Sequence, residues 1–210
     1  MDWQKWHTGY DQPGSGLAER LRAVQAQLRV ALDSAGPGPL RAISVCAGQG
    51  RDLIGVLAGH PRRNDVTARL VELDPRIADV ARESVHGAGL RRVEVVTGDA
   101  AALDQYLAIA PADLVLLCGI FGNISEADIE RTIDLARGLV RTGGTVVWTR
   151  GRGDGDADVV PRICRWFEER PFQRLWLSPP DVTWGVGAHR FTGEPTPLPP
   201  GTNMFTFIRH

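Results

Sequence analysis

Residues 40–52 read LRAISVCAGQGRD, and the fold turns on them. LRAISVC, residues 40–46, is a short β-branched run and reads as a strand. Ala47-Gly48-Gln49-Gly50-Arg51-Asp52 follows as a loop, and LIGVLAGH, from residue 53, reads as the start of a helix. Two glycines spaced by one residue let the backbone turn tightly and approach a ligand without a Cβ. The helix beyond offers unpaired N–H groups to a carboxylate or phosphate. A tight turn with no ligand uses the same residues, so the loop acquires meaning only from what surrounds it.

Outward from this unit, β and α patterns alternate. TARLVEL, residues 67–73, is a second strand. Asp74-Pro75 resembles an N-cap followed by proline at the first helical position, and IADVARESVHGAG continues as a helix. VEVVTGD, residues 93–99, is a third strand. ADLVLLCG, residues 112–119, is a fourth, apolar enough to be covered on both faces. Residues 126–140 are helical and closed by Gly143-Gly144. TVVWTR, residues 145–150, is a fifth strand, and residues 158–170 form a helix. FQRLWLS, residues 172–178, and NMFTFIR, residues 203–209, are expected to close the chain as an antiparallel edge pair. Alternating β and α at this spacing implies a parallel sheet with helices on both faces.

Upstream, Ser15 reads as the N-cap of a helix whose apolar face is Leu17, Leu21, Val24, Leu28 and Ala31 or Leu32. Gly36-Pro37-Gly38-Pro39 ends it. Residues 1–14 hold Trp3, Trp6, His7 and Tyr10, too aromatic for a disordered tail, and are expected to pack on the body.

The chain has 210 residues, read as one domain with a short extension. A hydrophobic fraction of 43% and a charged fraction of 23% are those of an ordinary globular protein. A formal net charge of −1 argues against a broad nucleic-acid or anionic-membrane footprint. Of the 24 basic side chains, Lys5 is the lone lysine. Cys46, Cys118 and Cys164 are three in number, far apart and free of a CxxC or CxH pattern, so no metal site is expected. Reduced thiols fit an intracellular, cytoplasmic protein. No apolar run reaches membrane-spanning length, and the N-terminus does not read as a secretion signal.

In open parallel sheets, ligands bind beyond the carboxyl ends of the strands. Glu72 follows the second strand, about twenty residues past the glycines, where a carboxylate can accept both hydroxyls of a ribose. A solvated strand-end carboxylate is the competing reading. Gly98-Asp99-Ala100 follows the third strand. There a carboxylate can take an exocyclic adenine amine while the next N–H meets a ring nitrogen, or Asp99 can simply cap a turn. Cys118-Gly119-Ile120-Phe121-Gly122-Asn123 follows the fourth strand with small and apolar groups. A nicotinamide dinucleotide fingerprint requires a third glycine where Leu53 stands.

AGQG, VELD, GDA and DLVLLCG, taken in that order over residues 40–150, resemble the class I S-adenosylmethionine-dependent methyltransferases. The resemblance implies a doubly wound, mostly parallel seven-stranded α/β sheet, Rossmann-like, with an antiparallel last strand and an N-terminal helical lid. It divides the chain into an arm and helix over residues 1–39 and a cofactor-binding domain over residues 40–210. It implies S-adenosylmethionine as cofactor, held among Tyr10, Ala47, Gly48, Gln49, Gly50, Glu72, Leu73, Asp99, Ala100, Cys118, Gly119 and Ile120. Two positions depart from the family pattern. Cys46 stands where an acidic residue often ends the first strand, and Asp52 stands at the usual third glycine. Arg51 or Asp52 is then a candidate contact for the amino-acid end of the cofactor.

CGIFGN lacks the Asn-Pro-Pro-Tyr type of motif of enzymes acting on amino nitrogens, and no Pro-Cys nucleophile is present. The expected acceptor is therefore a small molecule, with a hydroxyl group preferred, and neither nucleic acid nor membrane. A homo-oligomer is compatible with this reading. His7 and His189 are the candidate bases, because imidazole titrates near neutrality; His189 is placed in a loop between the last two strands. Trp6, Asn123, Trp148 and Arg150 are the candidate acceptor contacts, and an arginine can hold a carboxylate or phosphate. The rival readings are an NAD(P)-dependent oxidoreductase on a Rossmann sheet and a cofactor-binding protein without catalysis.

Overall fold

Among the described residues, seven strands form one sheet. They are β1 (Leu40–Val45), β2 (Val66–Glu72), β3 (Val93–Thr97), β4 (Ala112–Leu117), β5 (Val140–Gly151), β6 (Phe172–Leu177) and β7 (Trp184–Phe191). Their order is β3-β2-β1-β4-β5-β7-β6. The first five run parallel, and β7 lies antiparallel between β5 and β6. The helices are α1 (Gly16–Ser34), α2 (Leu53–Leu57), α3 (Pro75–Gly87), α4 (Glu126–Leu139) and α5 (Val159–Glu168). This computed structural model describes residues 8–12, 14–152 and 158–208.

Local chemistry starts the helices where expected. The Ser15 side chain accepts from Ala18 N–H at the head of α1. Asp74 accepts from Arg76 N–H, with Pro75 at the first position of α3. Both are side-chain oxygens satisfying N–H groups that the helix itself leaves unpaired. The sheet is covered on both sides. Val24, Leu28 and Leu32 of α1, Leu53 and Leu57 of α2, and Ala81 of α3 pack on one face. Ile129, Ile133 and Ala136 of α4, with Val160, Ile163 and Phe167 of α5, pack on the other. No described helix is long and apolar enough to cross a membrane.

The closing strand is not where the sequence places it. Residues 203–207 make only isolated bridges, Ala102 with Asn203 and Ile124 with Phe207. Met204 N–H bonds to Ala101 O, and Ile208 N–H to Asn123 O. The C-terminal segment thus runs over the loops at the carboxyl ends of the strands. The true last strand is β7, read from sequence as the loop carrying His189. Its glycines make space rather than turns. A Cβ on Gly187 would overlap the Trp148 indole, and one on Gly185 would overlap Val160. Close packing across the sheet face, not backbone reversal, requires glycine there.

β1 and β4 are neighbours at the centre, and the chain leaves their carboxyl ends toward opposite sides. That divergence opens a crevice at the switch point.

Candidate active site

A cavity of about 830 Å³ fills the crevice. Its walls come from the β1 loop (Cys46, Ala47, Gly48, Gln49, Arg51, Asp52), the β2 end (Glu72, Leu73, Asp74, Pro75, Arg76, Ile77) and the β3 end (Asp99, Ala100). The β4 loop adds Cys118, Gly119, Gly122 and Asn123, and β5 adds Thr149, Arg150 and Gly151. Tyr10, three residues of α1 (Arg20, Leu21, Val24) and Phe207 complete the lining.

The glycine loop turns through left-handed backbone at three places, Cys46 (φ 53°), Gly48 (φ 56°) and Gly50 (φ 69°). At Gly50 a side chain is excluded twice, by φ and by Ile54 and Leu70 lying against the position of a Cβ. Gly50→Ala is therefore expected to lower unfolding free energy by about 2 kcal/mol or more, combining left-handed strain with overpacking. Urea denaturation reads this, and an unchanged midpoint would contradict it.

Glu72 organises the crevice. Its Oε2 accepts from Gly48 N–H at 2.9 Å, and its Oε1 from Asp74 N–H at 3.0 Å. A carboxylate offers about four acceptor positions, so roughly two remain for a ligand. Asp99 Oδ1 accepts from Ala101 N–H at 2.9 Å, so the turn-capping role is real and leaves the second oxygen for other partners. On the β4 side, Gly119 N–H donates to Thr149 Oγ1 at 2.8 Å, and Asn123 Nδ2 donates to Gly119 O at 2.9 Å. These bonds tie the β4 loop to β5 beside Arg150.

The α1 side is braced to the loop. Gln25 Nε2 donates to Arg51 O at 2.9 Å. Arg51 pairs with Asp11 and also reaches Gln49 Oε1. Arg20 Nη2 donates to Tyr10 OH at 3.1 Å. Burial pushes the Asp52 carboxyl up to about 6, although its bond from Leu53 N–H and the nearby Arg20 pull it down. Burial also raises the thiols of Cys46, beside Glu72 and Asp99, and of Cys118, beside Asp52, so neither is a ready thiolate.

Most of the residues singled out from sequence meet here: Tyr10, Ala47, Gly48, Gln49, Glu72, Leu73, Asp99, Ala100, Cys118, Gly119, Asn123 and Arg150. Four do not. Gly50 is buried beneath the loop, and Ile120 is wholly buried in the core. Trp148 and His189 point into the opposite sheet face. The indole stacks on Phe167 and donates from Nε1 to His189 Nδ1 at 3.1 Å, and the imidazole stacks on Phe167 in turn. His189 is fully buried, and its pKa falls to about 3 because burial disfavours its charged form. It is a neutral core residue and cannot serve as a base for a bound acceptor. Trp6 and His7 lie outside the described residues.

Sequence reasoning missed Arg20, Asp52's burial and Phe207. Arg20 adjoins Leu21 and Val24 on the inner face of α1, so helical periodicity places it beside the crevice. Phe207 falls in the stretch NMFTFIR, which its pattern marks as a strand.

The chain matches no protein-family model and no curated protein. Solved structures do resemble it. An O-methyltransferase family protein from Burkholderia thailandensis is similar over 82% of this chain, with 19% identity and a TM-score of 0.62. This chain spans only 57% of that protein's length. A cofactor-bound protein from MTB is similar over 83% of this chain and 80% of its own, with 25% identity and a TM-score of 0.58. An rRNA methylase from Streptococcus thermophilus is similar over 80% and 95%, with 13% identity and a TM-score of 0.60. Strand order, the antiparallel β7 and these likenesses agree: the chain has the class I S-adenosylmethionine-dependent methyltransferase fold.

Proposed function

We propose that this chain is an S-adenosylmethionine-dependent methyltransferase acting on a hydroxyl group of a small molecule. The observation that carries the reading is Glu72, fixed by two backbone N–H groups with acceptor capacity left over, at the end of β2 in a cavity that can enclose a nucleoside. Its remaining positions suit a ribose diol. Asp99 and Ala100 suit the adenine edge, with Leu73 beside the base. The glycine loop gives the amino-acid end close backbone approach.

Bound there, S-adenosylmethionine supplies an activated methyl group on a sulfonium. The protein's contribution is to align the acceptor and exclude water, which is worth roughly 7–11 kcal/mol in well-oriented reactions. Asn123 and Arg150, at the β4 and β5 ends, are the acceptor contacts. A guanidinium there favours an acceptor bearing a carboxylate or phosphate. Residues 1–39 are proposed to act as the lid, with Tyr10 and the head of α1 lining the mouth, and Trp6 is proposed as a further acceptor contact.

His7 is the proposed base. His7 lies outside the described residues, and its imidazole, which titrates near neutrality, suits the role. Replacing His7 with Gln should lower turnover by roughly 10²–10⁴-fold while cofactor affinity stays unchanged. Parental turnover in this variant would remove His7 from the mechanism.

The reading is tested with methyl-labelled S-adenosylmethionine offered alongside a small-metabolite pool and alongside RNA. Label is expected in the small-molecule fraction. A formal net charge of −1 supports that choice over a polymer. Label in RNA alone would overturn the acceptor class, and no transfer to anything would favour a binding protein without catalysis.

A further inference from the structure

A second hollow, of about 280 Å³, lies at the other end of the sheet. Its walls are the last turn of α1, the amino-terminal starts of β1, β2, β4 and β5, and the far end of β7. Arg41 stands at the start of β1 and Cys46 follows its end, roughly 16 Å away at the ordinary strand rise. Among the described residues the hollow and the crevice share no lining.

The hollow is graded in polarity along the sheet. In the strand order β2-β1-β4-β5-β7, the first three strands supply Val66, Leu40, Ala42 and Leu114, and α1 packs Ala31 and Leu32 against them. β5 and β7 supply Thr145 and Arg190. These two are register partners, so their Cβ atoms stand roughly 5 Å apart. Val186 and Ala188 pack with the α1 side of the core, and alternation along β7 puts Arg190 on that same face.

The other charges at this end are matched. Asp113 Oδ2 accepts from Arg41 N–H at 2.7 Å, and its Oδ1 accepts from Arg141 Nε. Arg141 Nη1 donates to Thr142 O, and the Arg41 guanidinium reaches Ile109 O at 3.5 Å. Arg62 donates to Ala35 O and Gly36 O at 2.9 Å each and pairs with Asp65, which offsets the negative end of the α1 dipole. The Arg190 guanidinium and the Thr145 hydroxyl have no partner among the described residues.

A guanidinium and a hydroxyl side by side, at one end of a hollow whose other end is alkyl, complement a carboxylate on an apolar body. One unmatched cation calls for a single negative charge. We propose that this hollow binds a medium-chain monocarboxylate, with Arg190 and Thr145 holding the carboxylate and the chain lying between α1 and β1. At roughly 30 Å³ per water-sized group, a volume of about 280 Å³ is close to the size of octanoate. The site does not depend on the methyl-transfer reading.

Calorimetric titration of the parent with butanoate, hexanoate and octanoate tests it. Affinity should rise about fourfold for each added CH₂. Octylammonium, with the same chain and the opposite charge, should not bind. Arg190 is exposed, so its replacement leaves the fold intact. Arg190→Gln should weaken octanoate at least about tenfold, and Thr145→Val should weaken it severalfold. Ala31→Leu fills the hollow and should abolish octanoate binding. The proposal is overturned if octylammonium binds as octanoate does or if affinity ignores chain length. It is overturned equally if either Arg190→Gln or Ala31→Leu binds octanoate like the parent. Octanoate affinity lost in Arg150→Gln but kept in Arg190→Gln would place the carboxylate in the crevice and overturn it as well. If the parent binds none of the three acids the proposal falls, and the methyl-donor reading stands untouched by that result.

Discussion

Replacing Glu72 with alanine is expected to weaken S-adenosylmethionine binding by about a hundredfold. Two hydrogen bonds from the ribose to a carboxylate would be lost, at about 1.5 kcal/mol each or more. The same change strips Gly48 N–H and Asp74 N–H of their acceptor, so the glycine loop and the head of α3 lose the group that holds them together. Glu72→Gln retains one acceptor oxygen and should fall between parent and alanine. Asp99→Ala should cost less, about tenfold, if the Ala100 backbone still reads the adenine. The order of the three affinities, read by calorimetry, is the test. Equal binding by Glu72→Ala and the parent would mean that Glu72 is only a strand-end carboxylate.

Trp148→Ala is expected to be the most damaging substitution for stability. The indole is fully buried, packed against Phe121, Phe167 and His189, and roofed by Gly187. Its loss leaves a cavity and deprives His189 Nδ1 of its donor. Together these should cost about 4–5 kcal/mol, or roughly 10–15 °C in Tm for a chain of this size. A shift of only a degree or two would show that the cluster is loosely packed.

The imidazole inside this cluster also predicts an acid limb. Folded His189 titrates at about 3, against an ordinary 6.5. Below about pH 6.5 the unfolded chain therefore takes up a proton that the folded chain refuses. The stability contributed at higher pH drains away as pH falls toward about 3, at up to about 1.4 kcal/mol per unit. Asp52 works the other way between about 6 and its ordinary 3.8, since the folded chain there binds the proton more readily. His189→Leu should therefore lose less stability on acidification than the parent. An acid slope identical to the parent's would contradict the buried, neutral assignment.

The parts of the fold legible in the sequence were those in which local chemistry and tertiary demand agree. Ser15, Asp74-Pro75 and the glycines of AGQG each dictate a cap or turn by their own geometry, and the central strand β4 is a nearly unbroken apolar run. The reading failed where tertiary packing overrode local signals. Gly185 and Gly187 look like loop residues, yet they sit mid-strand because Val160 and Trp148 occupy the space of their side chains. NMFTFIR alternates like a strand, but its hydrogen bonds go to Ala101 and Asn123 at the mouth. His189 moves with it, from a loop between strands to the buried face of β7. Most of the strand-end candidates converge on the crevice because strand ends are placed by the sheet itself. Arg20 was legible only in part, because periodicity gives its side of α1 but not the loop that side meets.

The central claim is that the crevice between β1 and β4 is built for an adenosyl sulfonium rather than a dinucleotide. Calorimetric titration of the parent chain with S-adenosylmethionine and, separately, with NADH and NADPH tests it most directly. The account predicts a single saturable site for S-adenosylmethionine, displaced competitively by S-adenosylhomocysteine, and no binding of either nicotinamide cofactor in the same concentration range. Saturable binding of NADH or NADPH with none of S-adenosylmethionine would contradict it.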